Sequence, residues 1–438
     1  MTTYSLLIGL DQVGTWAAVL LVLVGASLFI AHLIRRHPML ATPVLVAVSA
    51  VVLGVAMRLL FAPELIADER AWHVRGVEAA ELLASGQLGA VGSFGKDGYP
   101  YLVGAVYIVV GQAPLVIALL NAPIHGALVF LTGRTAALMS KEALSEDLSA
   151  SAVRIAAWVT ALSPSFLFWA PRLLRETLCV LLIVAVVYGL ARYVETRRVG
   201  YLVAVAAPAL ALVAVRTTVG LGVVLAAVAG LTLMRSADGR YRAFRVLVMS
   251  PLVIGLAAAA WAFLDAAIGI SLEETAQVNA SNRVNAASGY EIEGRQGGAG
   301  TQVLLNTSRA VAGPFPFEWS AEPVMLLAMQ EGLIWLILVA CAALALRTMR
   351  RADVSMSVAL IAVVVAAALV LMFGYRVSNY GLLARMRPMG HGVLIPLAAV
   401  YLAQVLPRRG SPSGDKDEQI SRTRDRSVEF TQRDGQRI

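Results

Sequence analysis

Long apolar runs alternate with short polar ones along most of this chain. Residues 14–34, 41–61, 114–131, 152–169, 173–191, 201–215, 218–234, 244–264, 324–346, 354–375 and 390–406 are almost wholly apolar. About 20 such residues in helical form cross the hydrocarbon core of a bilayer. The pattern predicts an all-α, polytopic membrane protein with about eleven transmembrane helices. Two interruptions are long, residues 62–113 and 265–323, and the others are short polar turns. Residues 407–438 carry both charge signs and almost no apolar side chains, which predicts a disordered tail behind a multi-pass domain at 1–406. No internal repeat of fixed period is present.

Composition agrees. Of the 438 residues 58% are hydrophobic and 15% charged, more apolar side chain than one soluble core can hide. The net charge of +8 does not point to nucleic acid, because the basic residues gather at the ends of the apolar runs and in the tail. Arg35, Arg36, Arg134, Lys141, Arg192, Arg197, Arg198, Arg235, Arg240, Arg242, Arg245, Arg347, Arg350, Arg351, Arg408 and Arg409 all fall on one side of the predicted spans. By the positive-inside rule that side is cytoplasmic, so the amino terminus and both long loops lie outside and the tail lies inside. Residues 1–12 carry no Lys or Arg, which favours a retained first helix over a cleaved signal peptide. Cys179 and Cys341 fall inside predicted spans, where a disulfide framework has nothing to staple.

Six arginines break the charge bias. In SPSFLFWAPRLLRETLCVLL the chain turns over at the outer face with Arg172, Arg175 and Glu176 in the turn. Arg216 in AVRTTVG sits in the next outer turn, and Arg376, Arg385 and Arg387 in YRVSNYGLLARMRP sit in a third. A charge at the edge of hydrocarbon needs a partner, water or a ligand, and guanidinium suits a bidentate grip on phosphate. Snorkelling to headgroups or local ion pairing explains any one of them equally well. Glu331, one or two turns into the span at 324–346, is an intramembrane carboxylate and a site candidate, unless a partner arginine accounts for it.

The first outer loop supplies carboxylates. Residues 67–85 have the spacing of an amphipathic helix, with Trp72, Val77, Ala80 and Leu83 on one side. Asp68 and Glu69 stand at its start, where a carboxylate can act as a general base or bind a divalent cation. An N-cap role serves Asp68 as well. Glu69 and His73 share a face, but one carboxylate and one imidazole are too few for a metal site. The second loop is rich in Gly, Asn and Ala, with a short helix expected near 272–284. It ends on GPFPFEW, an interfacial turn that anchors the following helix or offers aromatic rings to a sugar.

Taken in order, ADERAWHVRGVEAAELL, GYPYLVGAVYIVVGQAPLVIALLNAPIHG, SPSFLFWAPRLLRETL, AVRTTVG, AGPFPFEW with MQEGLIW, and SNYGLLARMRP resemble the GT-C superfamily of membrane glycosyltransferases. The bacterial relatives of protein O-mannosyltransferases and lipid A aminoarabinose transferases are the nearest in pattern, over most of residues 61–406. The resemblance implies a bacterial cell-membrane enzyme that moves a sugar from a polyprenyl phosphate to an acceptor outside. It further implies Asp68, or Glu69 beside it, as catalytic carboxylate, and Arg172, Arg175, Arg216, Arg385 and Arg387 on the phosphate. The chain departs from the family in an extra span before the one feeding the acidic loop, and in having no folded domain after the last span. Two other classes compete: a polysaccharide polymerase or ligase of O-antigen type would depend on the late loop, and a transporter would show paired broken helices with midplane charges. Donor sugar, acceptor and metal dependence are not legible.

Overall fold

A computed structural model of the chain describes residues 5–9, 13–87, 98–232, 307–319, 323–376 and 380–406. Residues up to Ala403 belong to one compact unit. The named helices are α1 (Val13–Arg36), α2 (Pro38–Phe61), α3 (Ala67–Ala84), α4 (Gly98–Val110), α5 (Pro114–Ser140), α6 (Glu146–Leu162) and α7 (Pro164–Trp169). They continue with α8 (Glu176–Thr196), α9 (Gly200–Val215), α10 (Thr217–Thr232), α11 (Pro323–Thr348), α12 (Asp353–Arg376) and α13 (Tyr380–Val405). Among the described residues there is no strand, only an isolated bridge between Ser5 and Glu64.

Among the described residues, eight stretches of helix are long and apolar enough to cross a bilayer: Val13–Leu33, Pro38–Phe61, Pro114–Ser140, Glu146–Trp169, Glu176–Thr196, Met325–Thr348, Asp353–Phe373 and Tyr380–Val405. Helices α4, α9 and α10 are apolar but shorter, and the expected span at 244–264 lies outside the described residues. Large apolar side chains such as Leu21, Leu28, Leu60, Phe61, Leu210 and Leu333 are exposed on these helices. Faces of that kind belong against lipid. By length and composition this is a polytopic membrane protein.

Prolines set several helix starts. Pro38, Pro114 and Pro164 each open a helix, where the missing N–H costs nothing. The last of them breaks the expected span at 152–169 into α6 and α7. Ser163, before the proline, is pushed out of helical geometry to φ −58°, ψ 119°.

Two further expectations change. The loop at 62–113 holds a second helix, α4, packed on α3 with the two helices running the same way, Trp72 against Tyr99 and Gly76 against Val103, through a pair of glycines. A Cβ on Gly76 would run into Val103, and one on Gly104 would lie 2.7 Å from the Ala80 nitrogen, so only glycine permits this approach. The expected outer turn at 375–388 is instead largely the start of α13, ten residues before the expected span, and it places Arg385 and Arg387 inside a helix with Pro388. Apolar patterning cannot see a span whose first turns carry arginines, and those charges are tolerated there because each has the partners described below.

Helix ends segregate into two sets. At one, Lys141 pairs with Glu195 at 2.8 Å, Arg192 donates to the Tyr201 hydroxyl at 3.0 Å, and the Val354 nitrogen donates to Glu142 at 2.9 Å. These contacts join the ends of α5 and α8 to the starts of α9 and α12. The other set carries the candidate site.

Candidate functional site

The site is organised around a buried carboxylate. Glu69, third residue of α3, is 0% exposed, and both its oxygens are occupied. Arg58 near the end of α2 grips it with both terminal nitrogens, at 2.7 and 2.8 Å. It also accepts the backbone N–H of Ile66 at 3.1 Å and of Leu173 at 2.9 Å. Arg58 extends the tie to the Pro171 carbonyl at 2.9 Å, and Asn121 of α5 donates to the Arg172 carbonyl at 2.8 Å. The turn between α7 and α8 is thereby fastened to three other helices through its own main chain. A turn packed this deep needs such partners for its backbone.

Asp68, one residue earlier, is placed differently. It is the second residue of α3 rather than its cap, a position taken by Ile66. Its side chain is 55% exposed, and Arg385 of α13 pairs with it. The same guanidinium donates to Glu176 at 2.6 Å, and Glu176 lies 4.0 Å from Arg216, which sits in the break between α9 and α10. Arg175 donates to the Val215 carbonyl at 3.1 Å and lies 4.7 Å from the ring centroid of Trp72. Arg172 lies over Phe168 at 4.5 Å and Trp169 at 5.7 Å, and Arg385 lies over Trp169 at 5.6 Å. Burial lowers the pKa of Arg172, with Arg58 and Arg385 adding to the effect and Glu69 opposing it. Burial, then the neighbouring Arg216, brings Arg175 down to about 10. Cations crowded at the edge of apolar helices favour an anion among them.

Thus Asp68, Glu69, Arg172, Arg175, Glu176, Arg216 and Arg385, drawn from well-separated segments, meet at one place. Arg58, Trp72, Asn121 and Trp169 complete it and are not singled out by sequence reasoning. Arg58 carries a usable signal, since an arginine inside the apolar run 41–61 requires a partner.

Arg387 and Glu331 lie apart from this group. Arg387 is 0% exposed and gives its donors to main-chain carbonyls: Ala310 at 3.1 Å, Ala328 at 3.2 Å, Arg309 at 2.7 Å, and Gly313. Arg309 and Ala310 belong to the helical residues 307–312; the Arg309 carbonyl also accepts the Gly313 N–H at 2.9 Å, and Arg387 closes over this helix end. Glu331, also fully buried, accepts a hydrogen bond from Ser165 and lies 3.7 Å from Nδ1 of His391. A hydroxyl and an imidazole thus stand beside it. In the 313–319 turn, Glu318 pairs with Arg309 at 2.7 Å and accepts the Phe315 N–H at 2.8 Å, and Trp319 donates to the Pro314 carbonyl at 3.1 Å. That is the geometry of an anchor ahead of α11. The Arg376 side chain and residues 265–306, with the helix expected at 272–284, lie outside the described residues.

His73 is buried and bonded to the Tyr107 hydroxyl at 2.9 Å, and burial lowers its pKa, as for a core imidazole. Among the described residues no group of three or more His, Cys, Asp or Glu side chains converges on a metal position. Comparison of the chain with protein-family models, curated proteins and solved structures finds no match. Fold and site together define a class: an all-helical membrane protein with a cationic cluster and an exposed carboxylate at one set of helix ends.

Proposed function

We propose that this chain is a GT-C-type glycosyltransferase that moves a sugar from a polyprenyl-phosphate donor to an acceptor hydroxyl outside the membrane. The supporting observation is Asp68: a half-exposed carboxylate held against Arg385 beside Arg172, Arg175 and Arg216. The cluster occupies the ends of apolar helices, where a lipid phosphate has its head among guanidiniums and its tail in hydrocarbon. Asp68 takes the proton of the acceptor hydroxyl as that oxygen bonds to the anomeric carbon. The bond from that carbon to the phosphate oxygen breaks, its electron pair leaves with the phosphate, and the arginines stabilise the charge that develops there. Glu69 positions the Asp68 turn and takes no proton, and Arg387 holds the 307–313 segment. On this reading the chain crosses the membrane about eleven times, counting 244–264, with the Asp68 end outside.

Orientation is checked with single cysteines in a background lacking Cys179 and Cys341. An impermeant thiol reagent should label position Gly86 from outside and leave position Ser236 unlabelled, and the reverse pattern would overturn the sidedness.

Arg172 tests the phosphate assignment, being the less buried of the two arginines in the α7–α8 turn. Arg172→Glu should raise the donor KM by roughly 10- to 100-fold, the size of one charge-assisted hydrogen bond, with the protein still inserted and abundant. Arg172→Lys should fall between, since it offers a point charge in place of a planar fork. An unchanged donor KM in Arg172→Glu returns the residue to lipid-headgroup snorkelling.

A further inference from the structure

The charges at the site do not balance. Among the described residues Arg58, Arg172, Arg175, Arg216 and Arg385 face Asp68, Glu69 and Glu176, which leaves two guanidiniums in excess. The geometry shows which two. Glu69 is taken by Arg58, while Asp68 and Glu176 are taken by Arg385 with Arg216 at the edge of pairing distance. Arg172 and Arg175 pair with no carboxylate among the described residues. Their contacts are neutral: the Phe168 and Val215 carbonyls and the rings of Phe168, Trp169 and Trp72. Ring faces and carbonyls orient a guanidinium without cancelling its charge. Arg175 is 4% exposed and its Nε has no partner; in the same cluster the Arg216 and Arg385 Nε donors and the Glu176 Oε2 acceptor are also buried without one, so donors outnumber acceptors there. Leaving such a group unsatisfied is costly unless a ligand meets it.

From this excess of two oriented charges we infer that the site is matched to a phosphomonoester dianion, and holds the polyprenyl phosphate leaving group more tightly than the sugar phosphodiester donor. The inference rests on the lipid-phosphate function proposed above. A phosphodiester carries one negative charge, whereas a monoester loses its second proton near pH 6 and carries close to two at neutral pH. Breaking the sugar–phosphate bond turns the first into the second. Affinity that grows along this path lowers the barrier, and it also makes the lipid product a competitive inhibitor that leaves slowly.

The test uses the full chain in lipid nanodiscs and three probes: farnesyl phosphate, farnesyl methyl phosphate and inorganic phosphate, with Kd measured at pH 8 and pH 5. Groups acting on Arg172 and Arg175 include Arg58, Arg216, Arg385, Glu69, Glu176 and Cys179. The diester does not titrate in this range, so it reports any change in the site itself, and the monoester's second ionisation adds to that only in the monoester arm. At pH 8 the monoester should bind about 10- to 100-fold more tightly, the size of one further charge-assisted contact. The ratio should shrink towards one at pH 5, and Arg172→Gln should weaken monoester binding more than diester binding. Equal Kd values for the two lipids at pH 8, or a ratio that ignores pH, would overturn the inference and leave the lipid-phosphate function standing. Failure of both lipids to bind would remove both. Inorganic phosphate binding as tightly as farnesyl phosphate would assign the cluster to a free phosphate and overturn the lipid inference.

Discussion

Asp68→Asn is expected to lower sugar transfer by about 100- to 10,000-fold, the usual contribution of a positioned general base, while the protein melts as wild type does. The amide keeps the size of the side chain, and at 55% exposure little packing depends on the charge. The neighbouring change has the opposite character. Glu69→Gln removes the buried partner of a largely buried ion pair, leaving the Arg58 guanidinium and the Leu173 and Ile66 N–H groups facing an amide. Losing one side of such a pair costs about 3–5 kcal/mol. Less Glu69→Gln protein should therefore accumulate, at a lower melting temperature, with activity per folded molecule well above that of Asp68→Asn. Transfer by Asp68→Asn within a few-fold of wild type would remove the general base and, with it, the GT-C mechanism.

Arg387→Leu should abolish accumulation of folded protein. The Ala310 and Gly313 carbonyls lose the Arg387 donor, while the Arg309 carbonyl keeps the Gly313 N–H, and a buried polar group left unsatisfied costs about 1–3 kcal/mol. Even part of that total consumes much of a typical folding stability of about 5–15 kcal/mol. Arg387→Lys, with three donors on one nitrogen, cannot reach carbonyls spread over Ala310, Ala328, Arg309 and Gly313 at once and should rescue only partly. Detergent-solubilised yield and melting temperature decide the matter. A variant that folds and melts normally but binds donor poorly would return Arg387 to the phosphate-binding role that family resemblance implies.

The contrast between these residues shows where sequence reasoning stops. Asp68 and Glu69 are adjacent acids at the start of one helix, and successive helical residues point roughly 100° apart. Which of them faces inward depends on where α2 places Arg58, which local pattern does not contain. Arg385 and Arg387 are likewise two apart on α13, and one reaches a rim carboxylate while the other disappears into carbonyls from a segment some 75 residues earlier. The apolar runs themselves were legible because hydrocarbon demands them. Proline and charge alter the detail: at Ser163–Pro164 the single stretch Glu146–Trp169 is divided into two helices, and at 380–389 arginines disguise the start of a span. Helix α4 falls inside the expected loop because its apolar run, 13 residues long, is too short for a span, and its place against α3 rests on the close approach of Gly76 and Gly104.

The central claim is that the cluster around Asp68 and Arg385 transfers sugar from a lipid phosphate. Its most direct measurement follows radiolabelled polyprenyl-phosphate sugars in membranes prepared with the protein, without it, and with Asp68→Asn. Label should leave the lipid fraction and enter an acceptor fraction only with the wild-type chain, the other two preparations matching one another. Equal loss of lipid-linked label in all three would contradict the account.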